Sequence, residues 1–158
     1  MSKLKMLVVL GCILACQSSF AKSEILLQPS NEQRQAVKSA FMSSDNAQIR
    51  TAINEARHNI ETLAINASCS MGYYIQGIAS IRSPNVQAQV NLWSPTNGMQ
   101  YITHDKCLNV VRIGNWSMPT KNALNFNIIY ESAQSGENKS THIEMIKQDG
   151  QWLVLSHL

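Results

Sequence analysis

Glu144-Met145-Ile146-Lys147-Gln148-Asp149-Gly150-Gln151-Trp152-Leu153-Val154 reads as two strands joined by a two-residue turn. Asp-Gly between alternating apolar residues is a strong hairpin signal, because a type I′ turn needs positive φ at both central positions and matches the twist of the strands it joins. With Gln148 facing Gln151, the register predicts Ile146 opposite Leu153, Met145 opposite Val154, Glu144 opposite Leu155 and His142 opposite His157. Side chains alternate between the two faces of a strand. One face then carries Ile143, Met145, Trp152 and Val154, which match Leu124, Phe126 and Ile128 of the preceding strand; this is the expected core face. The other carries Asn125, Asn127, Ile129, His142, Glu144, Ile146, Leu153, Leu155 and His157. A face left to water would be polar throughout, so Ile129, Ile146, Leu153 and Leu155 mark an expected interaction surface.

Upstream of the hairpin the apolar period is two in several further segments. Val86, Ala88, Val90 and Leu92 alternate with Gln87, Gln89 and Asn91; residues 108–113 form another expected strand, and Leu124, Phe126, Ile128 and Tyr130 alternate through a third. Before them the period is that of helices. Ser30 followed three residues later by Gln33 is a capping box that opens a helix with Val37, Ala40 and Phe41 on its apolar stripe, and Asp45 with Gln48 repeats the device. The second helix carries Ile49, Ala52, Ile53, Ala56, Ile60, Leu63 and Ala67 on one face, and the short link between the helices makes them neighbours. Residues 69–81 fit both a third helix and a strand. Helices first and antiparallel strands afterwards is the α+β arrangement, with the helices packed on one face of a curved sheet.

The closing pattern of a long strand, a Gly-containing loop, a strand ending Glu144-Met145-Ile146-Lys147-Gln148, the turn Asp149-Gly150 and Gln151-Trp152-Leu153-Val154 resembles the C-terminal half of NTF2-like (cystatin-like α+β) domains. The resemblance implies a cone-shaped sheet closed by the leading helices. It implies no single activity, since such domains include isomerases, dehydratases, secretion components and pure binding modules.

Residues 1–5 are a short basic region, 6–16 are apolar, and Gln17-Ser18-Ser19-Phe20-Ala21 ends in small residues around Phe20, which predicts a signal peptide over residues 1–21 cleaved after Ala21. A short linker over 22–29 and one domain over 30–158 follow. A rival site, Ile13-Leu14-Ala15-Cys16, resembles the lipobox of bacterial lipoproteins and would anchor the chain through Cys16. The apolar run is shorter than the about 20 residues a spanning helix needs, and no later stretch comes close, so no transmembrane segment is expected in the mature chain. Lys3 and Lys5 are two of 13 basic residues against 10 acidic ones, so the mature chain is close to neutral, a poor match to nucleic acid or anionic lipid. Cleavage also removes Cys12 and Cys16 and leaves Cys69 and Cys107, an expected disulfide in a periplasmic or secreted protein.

Chemistry-bearing motifs are sparse. There is no G-x-S-x-G elbow, Gly-rich phosphate loop, H-E-x-x-H or EF-hand pattern, and no cofactor is called for. His142, Glu144 and His157 are the one constellation with metal-ligand chemistry, since cross-strand Cβ atoms lie about 5 Å apart. A solvated His-Glu face beside the chain end is the plainer reading, and no metal is expected. His104-Asp105 reads as loop and His58 as a solvent-facing helix residue. An NTF2-like enzyme would need a carboxylate or histidine beside a tyrosine inside the cone, for which Tyr73, Tyr74, Tyr130 and Asp105 are the candidates. The expected function is a non-catalytic binding module of the bacterial envelope whose partner is another protein, a second copy of the chain as a homodimer, or a small apolar ligand. The alternative is a small enzyme with acid-base chemistry in the cone. A pocket holding a buried acid or histidine beside a tyrosine would favour the enzyme, and a filled interior the binder.

Overall fold

The hairpin forms as its turn chemistry requires in the computed structural model, which describes residues 25–86 and 90–158. The expected leader with its cleavage site, and Gln87, Ala88 and Gln89, lie outside the described residues. Asp149 and Gly150 both take positive φ, 48° and 81°, and Gln148 faces Gln151. Because φ of 81° is costly for any residue with a Cβ, Gly150→Ala is expected to lower stability by about 1 kcal/mol although nothing crowds the position. A urea midpoint unchanged from the parent would contradict that.

Four strands, β1 (Asn109–Thr120), β2 (Ala123–Glu131), β3 (Asn138–Gln148) and β4 (Gln151–His157), pair in chain order as one antiparallel sheet. Two helices, α1 (Asn31–Ser39) and α2 (Ala47–Cys69), pack on one of its faces, so the fold is α+β. Leu124, Phe126, Ile128, Ile143, Met145, Trp152 and Val154 all point into the core, as the alternation predicts, against Ala56, Ile60 and Leu63 of α2. At one end of this contact Glu55 of α2 accepts from Lys147 Nζ at 2.7 Å and from Trp152 Nε1 at 3.0 Å. Those two donors hold its carboxyl below the usual carboxylate range.

The α1 capping box is present: Ser30 Oγ accepts from the Gln33 amide and Gln33 reaches back to the Ser30 amide. At α2 the expected Asp45–Gln48 box does not form. Asn46 is the cap instead, its Oδ1 accepting from the amides of Gln48 and Ile49, while the Asp45 carbonyl binds Arg50.

Three further expectations are corrected. Residues 69–81 are neither a third helix nor a strand: α2 runs to Cys69, and beyond it single bridges at Ser70 and Tyr74 lead to a short 3-10 turn, Ala79–Ile81. The described part of the expected 86–92 strand meets β4 only at its C-terminal end, and a second contact with β4 is made by residues before it. Ser83 donates to Val154, and Asn91 and Trp93 bond His157, while Val90 between them is half exposed rather than part of an apolar face. The first expected strand of the sheet is also longer than 108–113. It continues as β1 through Gly114 and a bulge at Asn115, whose φ is 57°. Gly114 is needed where the 40–42 segment lies against β1, since a Cβ there would sit 2.9 Å from Met42. With residues 40–42 along β1, and residues 82–83 and 91–93 along β4, segments flank both sheet edges.

Residues 25–27, placed in the expected linker, pair with the chain around the end of α2: Leu27 donates to Cys69 and Met71 to Ile25. The disulfide joins Cys69 to Cys107 there, and Leu108 donates to Ser68 beside it.

Candidate functional site

The outer face of the hairpin departs from the predicted register at one residue. Pairing holds from Gln148–Gln151 through Ile146–Leu153 to Met145–Val154, then shifts, so that Glu144 faces Ser156 and Ile143 faces His157. Leu155 is the extra residue of a β-bulge, and everything after it changes side. His157 therefore points into the core rather than standing opposite His142, whose backbone pairs with Leu158 in both directions. The His142, Glu144 and His157 constellation does not assemble: His142 and Glu144 lie 4.0 Å apart on the outer face, and the second imidazole is on the other side of the sheet. Among the described residues no group of three or more His, Cys, Asp or Glu side chains is placed to hold a metal ion.

What remains on the outer face is a short apolar strip beside a polar centre. Ile146 and Leu153 are direct cross-strand neighbours, both half-buried, and Leu155 follows on β4 with part of its side chain against the core. Ile129, also half-buried, stands apart, since it pairs with Ser140 and Arg112 near one end of β2 whereas Ile146 pairs with Ala123 at the other. The polar groups between them bond one another: Asn127 to Ser140 at 3.2 Å, and Ser156 to Glu144 at 3.0 Å.

The inversion of His157 creates an arrangement that sequence reasoning missed. Its Nδ1 lies 2.7 Å from the carbonyl of Trp93 and its Nε2 lies 2.9 Å from the Tyr130 hydroxyl. A carbonyl only accepts, so Nδ1 carries the proton and donates to Trp93, and Nε2 accepts from Tyr130. Both side chains are 0% exposed. Burial lowers the imidazole pKa from 6.5 to about 4, an effect to which the nearby Lys139 charge adds, and pushes the Tyr130 hydroxyl well above its ordinary value. At neutral pH the pair is an uncharged, fully bonded core contact. It has the residue types of an acid-base site without access to a substrate.

The other candidates do not converge on it. Tyr73 is exposed, and Tyr74 lies between Tyr73 and Trp93 at the β4 edge with its ring tilted against both. Asp105 sits in an exposed loop, its carboxyl held below the usual range by the Thr103 hydroxyl, with His104 exposed beside it. His58 is exposed on α2, as expected. Asp105 does line a cleft of about 540 Å³ between the start of α1 and the loop before β1, along with Gln33, Cys107 and Ser132; neither Tyr130 nor His157 reaches it.

No protein-family model, curated protein or solved structure matches the chain.

Proposed function

We propose that the chain is an exported, non-catalytic interaction module of the bacterial envelope, an NTF2-like domain that meets another protein, or a second copy of itself, through the outer face of its sheet. The observation that carries this reading is the Ile146–Leu153 pair with Leu155 beside it, partly exposed aliphatic side chains on the face opposite the helices. Leaving them wet forgoes roughly 25 cal/mol for each Å² that a partner would cover. Two helices on an antiparallel sheet support the NTF2-like reading, and the Cys69–Cys107 disulfide is what an oxidising compartment allows. Among the described residues no helix is long and apolar enough to cross a membrane.

The enzyme reading draws on one specific observation, the His157–Tyr130 pair. Its weakness is that both groups are sealed in the core, with the Tyr130 proton and the imidazole Nε2 lone pair spent on each other and the Nδ1 proton on the Trp93 carbonyl.

Leu153→Glu tests the interaction reading. The variant is expected to keep the fold, because the side chain points away from the helices, and to lose the concentration-dependent sedimentation or partner retention of the parent. A variant that unfolds, or that sediments and binds as the parent does, contradicts the placement of the surface.

A further inference from the structure

Between Glu61 and Asp105 the sequence has one charged residue, Arg82; the rest is rich in Asn, Gln, Ser and Thr, with Tyr73, Tyr74, Trp93 and Tyr101 as its aromatics. Arg82 donates to the carbonyl of Val86. The fold gathers the middle of this uncharged stretch at the β4 edge. Tyr74 and Trp93 pair as an isolated bridge with ring centroids 5.9 Å apart, and Tyr73 extends the row at 6.5 Å. Tyr73 is 64% exposed and Trp93 37%. The row is tied down along its length: Ile75 donates to Leu92, Ser94 to Tyr73, and Trp93 to His157, while the Ser94 and Thr96 hydroxyls both reach the Ser70 carbonyl next to the disulfide. The Trp93 indole N–H is bonded within the loop to the carbonyl of Val90, which leaves the ring for stacking. Charged side chains that approach from β3 are engaged on backbone: Lys139 binds the Asn97 carbonyl, and the carboxylate of Glu137, just before β3, accepts from the amides of Gln100 and Tyr101.

From this we infer that the Tyr73–Tyr74–Trp93 row is a binding site for a neutral oligosaccharide. A pyranose has apolar C–H faces that pack on aromatic rings and a rim of uncharged hydroxyls that suit amide, hydroxyl and backbone partners. Adjacent rings are tilted by 48° and 52°, which suits a chain whose own rings turn from one unit to the next. An anionic headgroup or a nucleic acid would call for cations, and Lys139, which approaches the row, is engaged on the Asn97 carbonyl. Because the row is preorganised by backbone pairing and hydroxyl bonds, little ordering entropy opposes binding. The inference goes beyond the interaction reading and stands whether or not the outer sheet face has a partner.

The test is titration of the mature, disulfide-bonded protein with cellotetraose, maltotetraose and chitotetraose, each to about 10 mM, which registers even millimolar affinity. Binding is followed by the indole and tyrosine ring signals in NMR spectra. At least one of the three is expected to shift the signals of Trp93 and Tyr73 while leaving Trp116 and Trp152 unmoved. Tyr73→Ala, an exposed position whose loss spares the fold, is expected to weaken that binding by at least about tenfold. Leu153→Glu is expected to leave it unchanged. Absence of binding by all three sugars, or binding that Tyr73→Ala and Trp93→Phe do not alter, overturns the inference. So does a Trp93 signal that responds to protein concentration instead of sugar, since the row would then be a contact between copies of the chain.

Discussion

Replacing Cys69 and Cys107 together by serine is expected to lower the unfolding free energy of the mature domain by about 4 kcal/mol, the chain-entropy value for releasing a loop of this length. The two residues are 38 positions apart and nearly or fully buried. Three parts of the chain meet at the bond. The end of α2 supplies Cys69, the lead-in to β1 supplies Cys107, and residues 25–27 pair with the Cys69 carbonyl. Gln33 of the capping box adds a fourth tie, its side-chain amide donating to the Cys107 carbonyl at 3.1 Å. Opening the bond therefore loosens the start of α1 as well as the end of α2. In urea, where a domain of this size loses about 1–3 kcal/mol per molar denaturant, the midpoint should fall by more than about 1 M. A double variant with the parent's midpoint would show that the loop is held closed by packing alone.

Acid is expected to weaken the fold well above the carboxylate range. The folded protein holds His157 with a pKa of about 4, whereas an unfolded chain returns it to the ordinary 6.5. Between those values the unfolded state binds a proton that the folded state refuses. Stability is therefore complete above about pH 6.5, declines as the pH falls, and by pH 4 has lost about 3 kcal/mol through this one group. Burial is the main cause, and the positive charge of Lys139 deepens the effect; the Trp93 carbonyl, which accepts from Nδ1, opposes it and is outweighed. Glu32, Glu55 and Asp105, whose carboxyls are held below their ordinary values, add their own losses only in more acidic solution. The interval from pH 6.5 to 5 thus reports His157. In His157→Gln, which keeps a donor for Trp93, stability should be nearly flat across that interval, whatever its absolute value. A parent protein equally stable at pH 7 and pH 5 would contradict the sealed, neutral imidazole.

The same histidine marks where the sequence stops being legible. Asp149-Gly150 dictates its turn because both residues must adopt positive φ, and the alternation through Leu124, Phe126, Ile128, Ile143 and Met145 dictates which face is buried. The Ser30–Gln33 box is equally local. The bulge at Leu155 is not, because the residues after it are Ser156 and His157, and exchanging two polar residues between faces leaves the hydrophobic pattern undisturbed. What settles the choice is a hydroxyl on β2 and a carbonyl at Trp93, both remote in sequence. Residues 69–81 fail as helix or strand for a similar reason. Their backbone groups are partnered by residues 25–27 and 92–94, so no local period records them. Of the site expected on the outer face, Ile146 and Leu153 are neighbours as the turn arithmetic predicts. Ile129 falls outside the strip because its distance from Ile146 along β2 is a matter of register between strands, to which the alternation within one strand is blind.

The most direct test of the interaction surface is photo-crosslinking in the exporting cell, with a photoreactive residue at position 153 and, as the control, at position 58 on the exposed side of α2. A discrete adduct from position 153 and none of that mass from position 58 is the predicted result, the mass distinguishing a second copy from a different protein. No adduct from position 153, or the same adduct from position 58, would contradict it.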